Sequence, residues 1–256
     1  MILEAVVIVL REVLEAALLI SLLLLACRQT QTRSSWLLPS AVLGLLGASL
    51  YASQVAWVSE QFDYSGQEII NSLLQLLIFA CICLVFFCMR RQPPLRTLMM
   101  MSMGTAVALA LSREASEIFL YLQGFIGVEG FSGPALAGAT IGAVTGISAG
   151  VLVFYLLAWL ELKQTNLMLQ ILLAVVVAGI VTQAVSLLEQ VDRIPYSPAI
   201  WDTSAWIAED SLLGQLLYAL LGYEATPSIW HALTYVSSLL ALVGAHYLAT
   251  RAKGNR

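Results

Sequence analysis

The sequence predicts an all-α integral membrane protein of seven transmembrane helices, arranged as two inverted three-helix units followed by one more helix. Three observations carry this prediction: seven apolar runs of membrane-spanning length, a one-sided distribution of Arg and Lys between them, and a charged motif that occurs in the first run and again in the fourth. Composition sets the frame. The chain is 60% hydrophobic and 11% charged, with a mean hydropathy of +0.87, where soluble domains carry roughly 25% charged residues.

The runs fall at about 2–26, 36–58, 67–89, 97–124, 134–160, 167–189 and 229–249, and roughly 20 apolar residues are needed to cross the hydrocarbon as a helix. They lack the ten-residue alternation of a membrane β-barrel. One transmembrane domain over 1–250 and a short tail at 251–256 follow. The first run should be retained rather than cleaved, since no basic segment precedes it and Glu4, Arg11, Glu12 and Glu15 lie inside it.

Orientation comes from the basic residues. Arg28 and Arg33 follow the first span, Arg90, Arg91 and Arg96 lie between the third and fourth, Lys163 follows the fifth, and Arg251, Lys253 and Arg256 form the tail. All fall on one side. The opposite loops hold Arg193 as their single basic residue, beside Glu60, Asp63, Glu129, Glu189, Asp192, Asp202, Glu209, Asp210 and Glu224. The positive-inside rule then puts the N-terminus outside and the C-terminus in the cytoplasm. The long outer loop is 190–228, and its stretch Ser211 to Leu221 is apolar enough to lie in the interface or re-enter the protein.

Arg11-Glu12-Val13-Leu14-Glu15 and Arg113-Glu114-Ala115-Ser116-Glu117 both sit within apolar spans. A charged side chain at the bilayer centre costs about 2.5–3.5 kcal/mol on insertion scales, so each motif needs partners, water or a ligand. The copies stand three spans apart, in the first and the fourth, and three is odd, so the two units are inverted and a site between them lies near the midplane. At 100° per residue Arg11 and Glu15 share a helix face, Glu4 extends it and Glu12 lies about 60° aside. Apposed, the two helices would gather four motif carboxylates, a donor set for hard cations. Two plainer readings compete: buried ion pairs that only fix packing, and carboxylates that carry protons. The excess of acid over base in both copies weighs against simple pairing.

An Arg-Glu-x-x-Glu motif in the first and fourth of seven membrane helices resembles the oxidase-dependent iron permeases, over nearly the whole chain and in the bacterial form. The resemblance implies iron uptake from the outer face across the plasma membrane, the inner membrane of a bacterium. It also implies that Glu12, Glu15, Glu114 and Glu117 are metal ligands, with Arg11 and Arg113 as companions, while Glu4, by its place on the helix face, would support them. Gln67-Glu68 resembles the family's third acidic segment, which makes Glu68 a further ligand, with Asn71 where a second Glu is common. Asp202-Thr203-Ser204, Gly222-Tyr223 and Pro227-Ser228 resemble its loop before the last helix. Val13 and Ala115 replace the family's usual Gly, and Ser116 its Leu.

Iron, as Fe(II) or Fe(III), is thus the expected cargo. A separate extracytoplasmic oxidase or iron-binding protein is the expected partner, because the chain shows no haem, flavin or nucleotide motif and no enzymatic activity of its own is expected. Nucleic acid is not expected as a partner. Other readings are a transporter of manganese or lead, a proton-coupled cation exchanger, and a membrane receptor or scaffold that transports nothing.

Gly138, Gly142, Gly146 and Gly150 line one face of the fifth span and predict a close helix contact, within the chain or in a homo-oligomer. Met99, Met100, Met101 and Met103 read as apolar filler, and Cys27, Cys81, Cys83 and Cys88 as core residues. His231 and His246 read as packing or interfacial groups. Asp202, Glu209 and Asp210 are candidates for an acidic entrance that concentrates cations, or for a merely solvated rim.

Overall fold

The computed structural model describes residues 2–90, 95–125, 132–160 and 162–254. Arg91, Glu129 and Arg256 of the loop-charge pattern lie outside them, as do the side chains of Arg90, Lys163, Arg251 and Lys253. Among the described residues the chain is helical and contains no strand. Its elements are α1 (Ile2–Thr30), α2 (Leu37–Ser59), α3 (Gln61–Tyr64), α4 (Gly66–Arg90), α5 (Arg96–Gln123), α6 (Ser132–Trp159), α7 (Leu162–Gln190), α8 (Leu212–Leu221) and α9 (Ile229–Gly254).

Seven of these helices contain 23 to 29 residues, about 35–44 Å at 1.5 Å per residue, against about 30 Å of hydrocarbon. Five of them, α2, α4, α6, α7 and α9, are both long and apolar enough to cross a membrane. The other two, α1 and α5, carry the charged motifs. α7 is the most buried of the five, while α2, α6 and α9 turn Leu43, Leu50, Val144, Leu152, Leu240 and Val243 outward.

The helices do not pack in chain order. α1 lies mainly along α6, and α2 along α5, while α4 and α7 contact each other and α1 contacts α5. Small residues make this exchange feasible. α6 turns Gly138, Gly142, Gly146 and Gly150 toward α1, and α2 presents buried Ser40, Gly44, Ala48 and Ala52 at the same spacing. A Cβ on Gly142 would lie 2.6 Å from the Val6 carbonyl oxygen, and one on Gly44 would lie 2.9 Å from that of Ala108. The glycine stripe therefore serves a contact within the chain. Ser21 Oγ donates to the Gly150 carbonyl at 2.8 Å, and Ser112 Oγ to that of Gly44 at 3.2 Å.

The turn between α2 and α4 is left-handed at Phe62, Asp63 and Tyr64, a conformation that patterning did not foresee. Arg193 holds it, donating to the Phe62 carbonyl at 3.1 Å and lying 3.9 Å from Asp63. At the end of the first span Cys27 is buried, accepts from Trp36 Nε1 at 3.2 Å and sits 3.5 Å from Met103 Sδ. None of the four cysteines forms a disulfide, and Met99 and Met103 belong to the core.

The 190–228 segment folds back on the bundle. Ile200 and Thr203 N–H donate to the carbonyls of Pro227 and Ala225, and Glu209 accepts from the N–H groups of Ala225 and Thr226. α8 starts at Ser211, whose Oγ accepts from Gly214 N–H at 3.0 Å. It ends at Gly222 with φ 67°, where a Cβ would lie 2.5 Å from Gly179 Cα, so only glycine meets both the conformation and the space. α8 packs against α1 and α7.

Gly142→Ala should lower the unfolding midpoint in detergent, by the equivalent of about 1–3 kcal/mol for an overpacked contact. Gly244→Ala, where no atom lies within 4 Å of an added Cβ, should raise stability by roughly 0.5–1 kcal/mol. Thermal melts of the two variants check the pair, and equal shifts would count against a tight α1·α6 contact.

Candidate metal centre

Glu12 and Glu15 on α1, and Arg113 and Glu114 on α5, are buried among apolar side chains, with Glu117 partly so. Helical spacing puts each glutamate pair on the face turned to the other helix, and the α1·α5 contact closes the cluster. One carboxylate oxygen from each of Glu12, Glu114 and Glu117 lies within 4.8 Å of the others. Glu15 joins through Arg113, whose guanidinium is 3.5 Å from Glu15, 2.6 Å from Glu114 and 3.3 Å from Glu117. Among the described residues Arg11 is paired with Glu12 alone, with Nε donating at 2.8 Å.

The two arginines are therefore unequal. The Arg113 side chain is 9% exposed and touches three carboxylates, while that of Arg11 is 32% exposed. Four glutamates face two arginines, so carboxyls outnumber guanidiniums. Among the described residues Glu12 Oε2, Glu15 Oε2 and Glu114 Oε2 are buried and take no hydrogen bond from an N–H or hydroxyl donor, though Glu15 Oε2 lies 3.5 Å from the Arg113 guanidinium and the Glu12 and Glu114 carboxyls neighbour each other. Buried carboxyl oxygens so placed are costly, and a hard cation that takes oxygen donors would satisfy them.

Two cavities meet the cluster. One of about 520 Å³ is lined by Arg11, Ser186, Glu189, Glu209, Tyr218, Glu224 and His231 among others. The second, about 390 Å³, is mostly apolar and is bordered by Glu12 and Glu114 together with Leu45, Leu111, Phe119 and Ile147.

The remaining candidates from the sequence are dispersed. Glu4 is exposed in the first turn of α1 and does not join the cluster. Its angle on the helix wheel is right, but it lies eight residues before Glu12, about 12 Å along the axis. Glu68 is half-buried on α4 and also stands outside the group of three. Asn71 is buried, and its Oδ1 accepts from Tyr51 OH at 3.2 Å. Glu209 lines the larger cavity, whereas Asp202 and Asp210 are exposed and outside its lining. Hydrogen bonds from the Ser204 hydroxyl and backbone N–H hold the Asp202 carboxyl below its ordinary pKa.

Several site neighbours escaped the sequence reading. Tyr51 stands in the field of both Glu68 and Glu117, and Tyr218 in that of both Glu15 and Glu224. His231, expected to be a packing or interfacial residue, instead lies between the carboxylates of Glu189 and Glu224. The nearer acid was seven residues upstream in the sequence, but only the fold of the 222–228 turn shows that it reaches the ring.

The profile of the Iron permease FTR1 family matches residues 2–251. Among curated proteins the chain is similar to the ferrous iron permease EfeU of Escherichia coli O6:K15:H31, 25% identical over 269 residues, covering 96% of this chain and 95% of that protein. The EfeU of Shigella sonnei matches to the same extent. No solved structure matches comparably. With its array of long apolar helices, the chain is a multi-pass inner-membrane protein that belongs to the iron permease FTR1 family.

Proposed function

We propose that this protein imports iron through the carboxylate cluster of Glu12, Glu15, Glu114 and Glu117, set near the membrane midplane. The observation that carries the reading is the convergence of oxygens from Glu12, Glu114 and Glu117 within 4.8 Å, from two helices, with buried oxygens of Glu12 and Glu114 that take no N–H or hydroxyl donor among the described residues. Cation passage accounts for that excess of buried negative charge, which a packing role does not. Glu68, with Asn71 and Tyr51 beside it, continues the polar surface along α4, and Glu209 belongs to the mouth with Asp202 and Asp210 on its rim.

In this reading all seven long helices span, as a single domain, with the N-terminus outside and the C-terminus in the cytoplasm. Two inverted units, α1–α2–α4 and α5–α6–α7, precede α9. The packing supports the repeat: α1 lies on α6 as α5 lies on α2. The register matches as well, since Val6 and Ala108, each five residues before its motif arginine, are the residues whose carbonyls meet Gly142 and Gly44. The relatives carry ferrous iron in their names, which makes Fe(II) the species to offer. A separate oxidase or iron-binding protein outside the membrane is the partner implied by the family resemblance.

Glu15→Ala and Glu117→Ala should each reduce iron uptake by reconstituted vesicles to the empty-vesicle level while the protein still inserts and remains monodisperse. Unchanged uptake in either variant would remove that glutamate from the path. Arg113→Met, which strands the buried carboxyls of Glu15 and Glu114 and the partly buried one of Glu117, should cost about 3–5 kcal/mol of stability, and Arg11→Met markedly less because its side chain is a third exposed and bound to one glutamate. Melting midpoints in detergent compare the two.

A further inference from the structure

A second group of ionisable side chains lies apart from the motif. Glu189 closes α7, Glu224 lies in the turn after α8, and His231 is in the first turn of α9. The imidazole Nε2 is 3.1 Å from Glu189 Oε2, and Nδ1 contacts Glu224 Oε2. Ser186 Oγ donates to Glu224 Oε1 at 2.8 Å and lies 2.9 Å from Nε2. Ser228 Oγ donates to Glu189 at 2.9 Å, and the Ser228 N–H points at Nδ1 from 3.2 Å.

Each ring nitrogen therefore faces a carboxylate oxygen. A neutral imidazole has one N–H, so the other nitrogen would set its lone pair against an anion. A positive centre belongs there, either a second ring proton or a bound cation. The Ser228 N–H and Glu224 compete for Nδ1, and a cation on Nε2 would move the ring's one N–H to Nδ1, where Glu224 accepts it in place of the Ser228 contact. That leaves Nε2 and Glu189 as an adjacent nitrogen and oxygen donor, in the group of residues that lines the 520 Å³ cavity.

We propose that His231 Nε2 and the Glu189 carboxylate form a loading site for a divalent cation, with Glu224 positioning the imidazole through Nδ1–H. A metal-bound histidine ordinarily donates its other N–H to a carboxylate or carbonyl, as Glu224 permits here. Two donors 3.1 Å apart, each about 2.1 Å from a shared ion, subtend about 95°, a cis pair in an open coordination sphere. Mixed imidazole and carboxylate donors suit first-row divalent ions. The same cavity is lined by Tyr218 and Arg11, so a cation leaving His231 enters the space beside the Arg11–Glu12 pair. Glu209 lines it too, its carboxylate anchored by the Ala225 and Thr226 N–H groups.

The direction of travel rests on the permease reading, but binding at His231 does not, and the test separates them. The full chain carrying Glu12→Gln, Glu114→Gln and Glu117→Gln is purified in detergent and titrated with Co2+, whose visible bands report nitrogen ligation. One Co2+ per chain with such bands is expected. Adding His231→Gln, or separately Glu189→Gln, should weaken that binding at least tenfold, and Glu224→Gln about 10–100-fold, as for loss of a carboxylate that orients a ligand. Absence of Co2+ binding in the motif-silenced protein, or unchanged titrations in both the His231 and Glu189 variants, overturns the loading site. Loss of uptake in Glu117→Ala alongside a null titration would leave the permease reading standing, and the reverse pattern would leave the loading site standing.

Discussion

The buried guanidinium of Arg113 is the interaction on which the centre of the molecule depends. It contacts Glu15 across the α1·α5 crossing and Glu114 and Glu117 on its own helix. Anions this close and this dry repel one another strongly, and Arg113 offsets that repulsion where the two motif helices meet. Even so the carboxyls outnumber the guanidiniums. Nature more often pairs buried charges fully, because an uncompensated one costs several kcal/mol. In the proposed permease reading, a passing cation supplies the missing positive charge.

Arg11 breaks the symmetry suggested by the doubled motif. Its guanidinium leaves Glu15 to Arg113 and faces the larger cavity. The cluster is thereby closed by one arginine and bordered by the other, with polar space on the Arg11 side and an apolar crevice against Glu12 and Glu114. Val13 fits the same picture. A Cβ on Gly146 would lie 2.9 Å from Val13 Cγ1, so the glycine absent from the motif's third position is supplied by the facing helix.

Much of this was legible because it is local or periodic. Helix bounds follow hydropathy, and the elements over Ile2–Thr30, Leu37–Ser59, Gly66–Arg90 and Ile229–Gly254 begin within a residue of the predicted runs. The glutamates of the motif converge because helix geometry places them on one face. What the sequence concealed depends on distance in space. Glu4 shares the angular position of the motif face but not its height. Tyr51 and Tyr218 are ordinary aromatics until the packing of α2 and α8 brings them to the glutamates. The His231 group draws on α7, a loop and α9, and the left-handed turn at Phe62–Tyr64 is held by Arg193 from far along the chain.

The glycine face of α6 has a consequence for how the motif keeps its depth. Backbone contacts at Gly138, Gly142, Gly146 and Gly150 leave no side-chain slack, so α1 cannot slide along α6 by less than a full four-residue step. α6 acts as a ruler against which α1 is read, and α2 does the same for α5. The height of Glu12 and Glu15 is thus gauged by a helix from the other half of the chain, and loop lengths on either side of α1 can drift without moving the carboxylates.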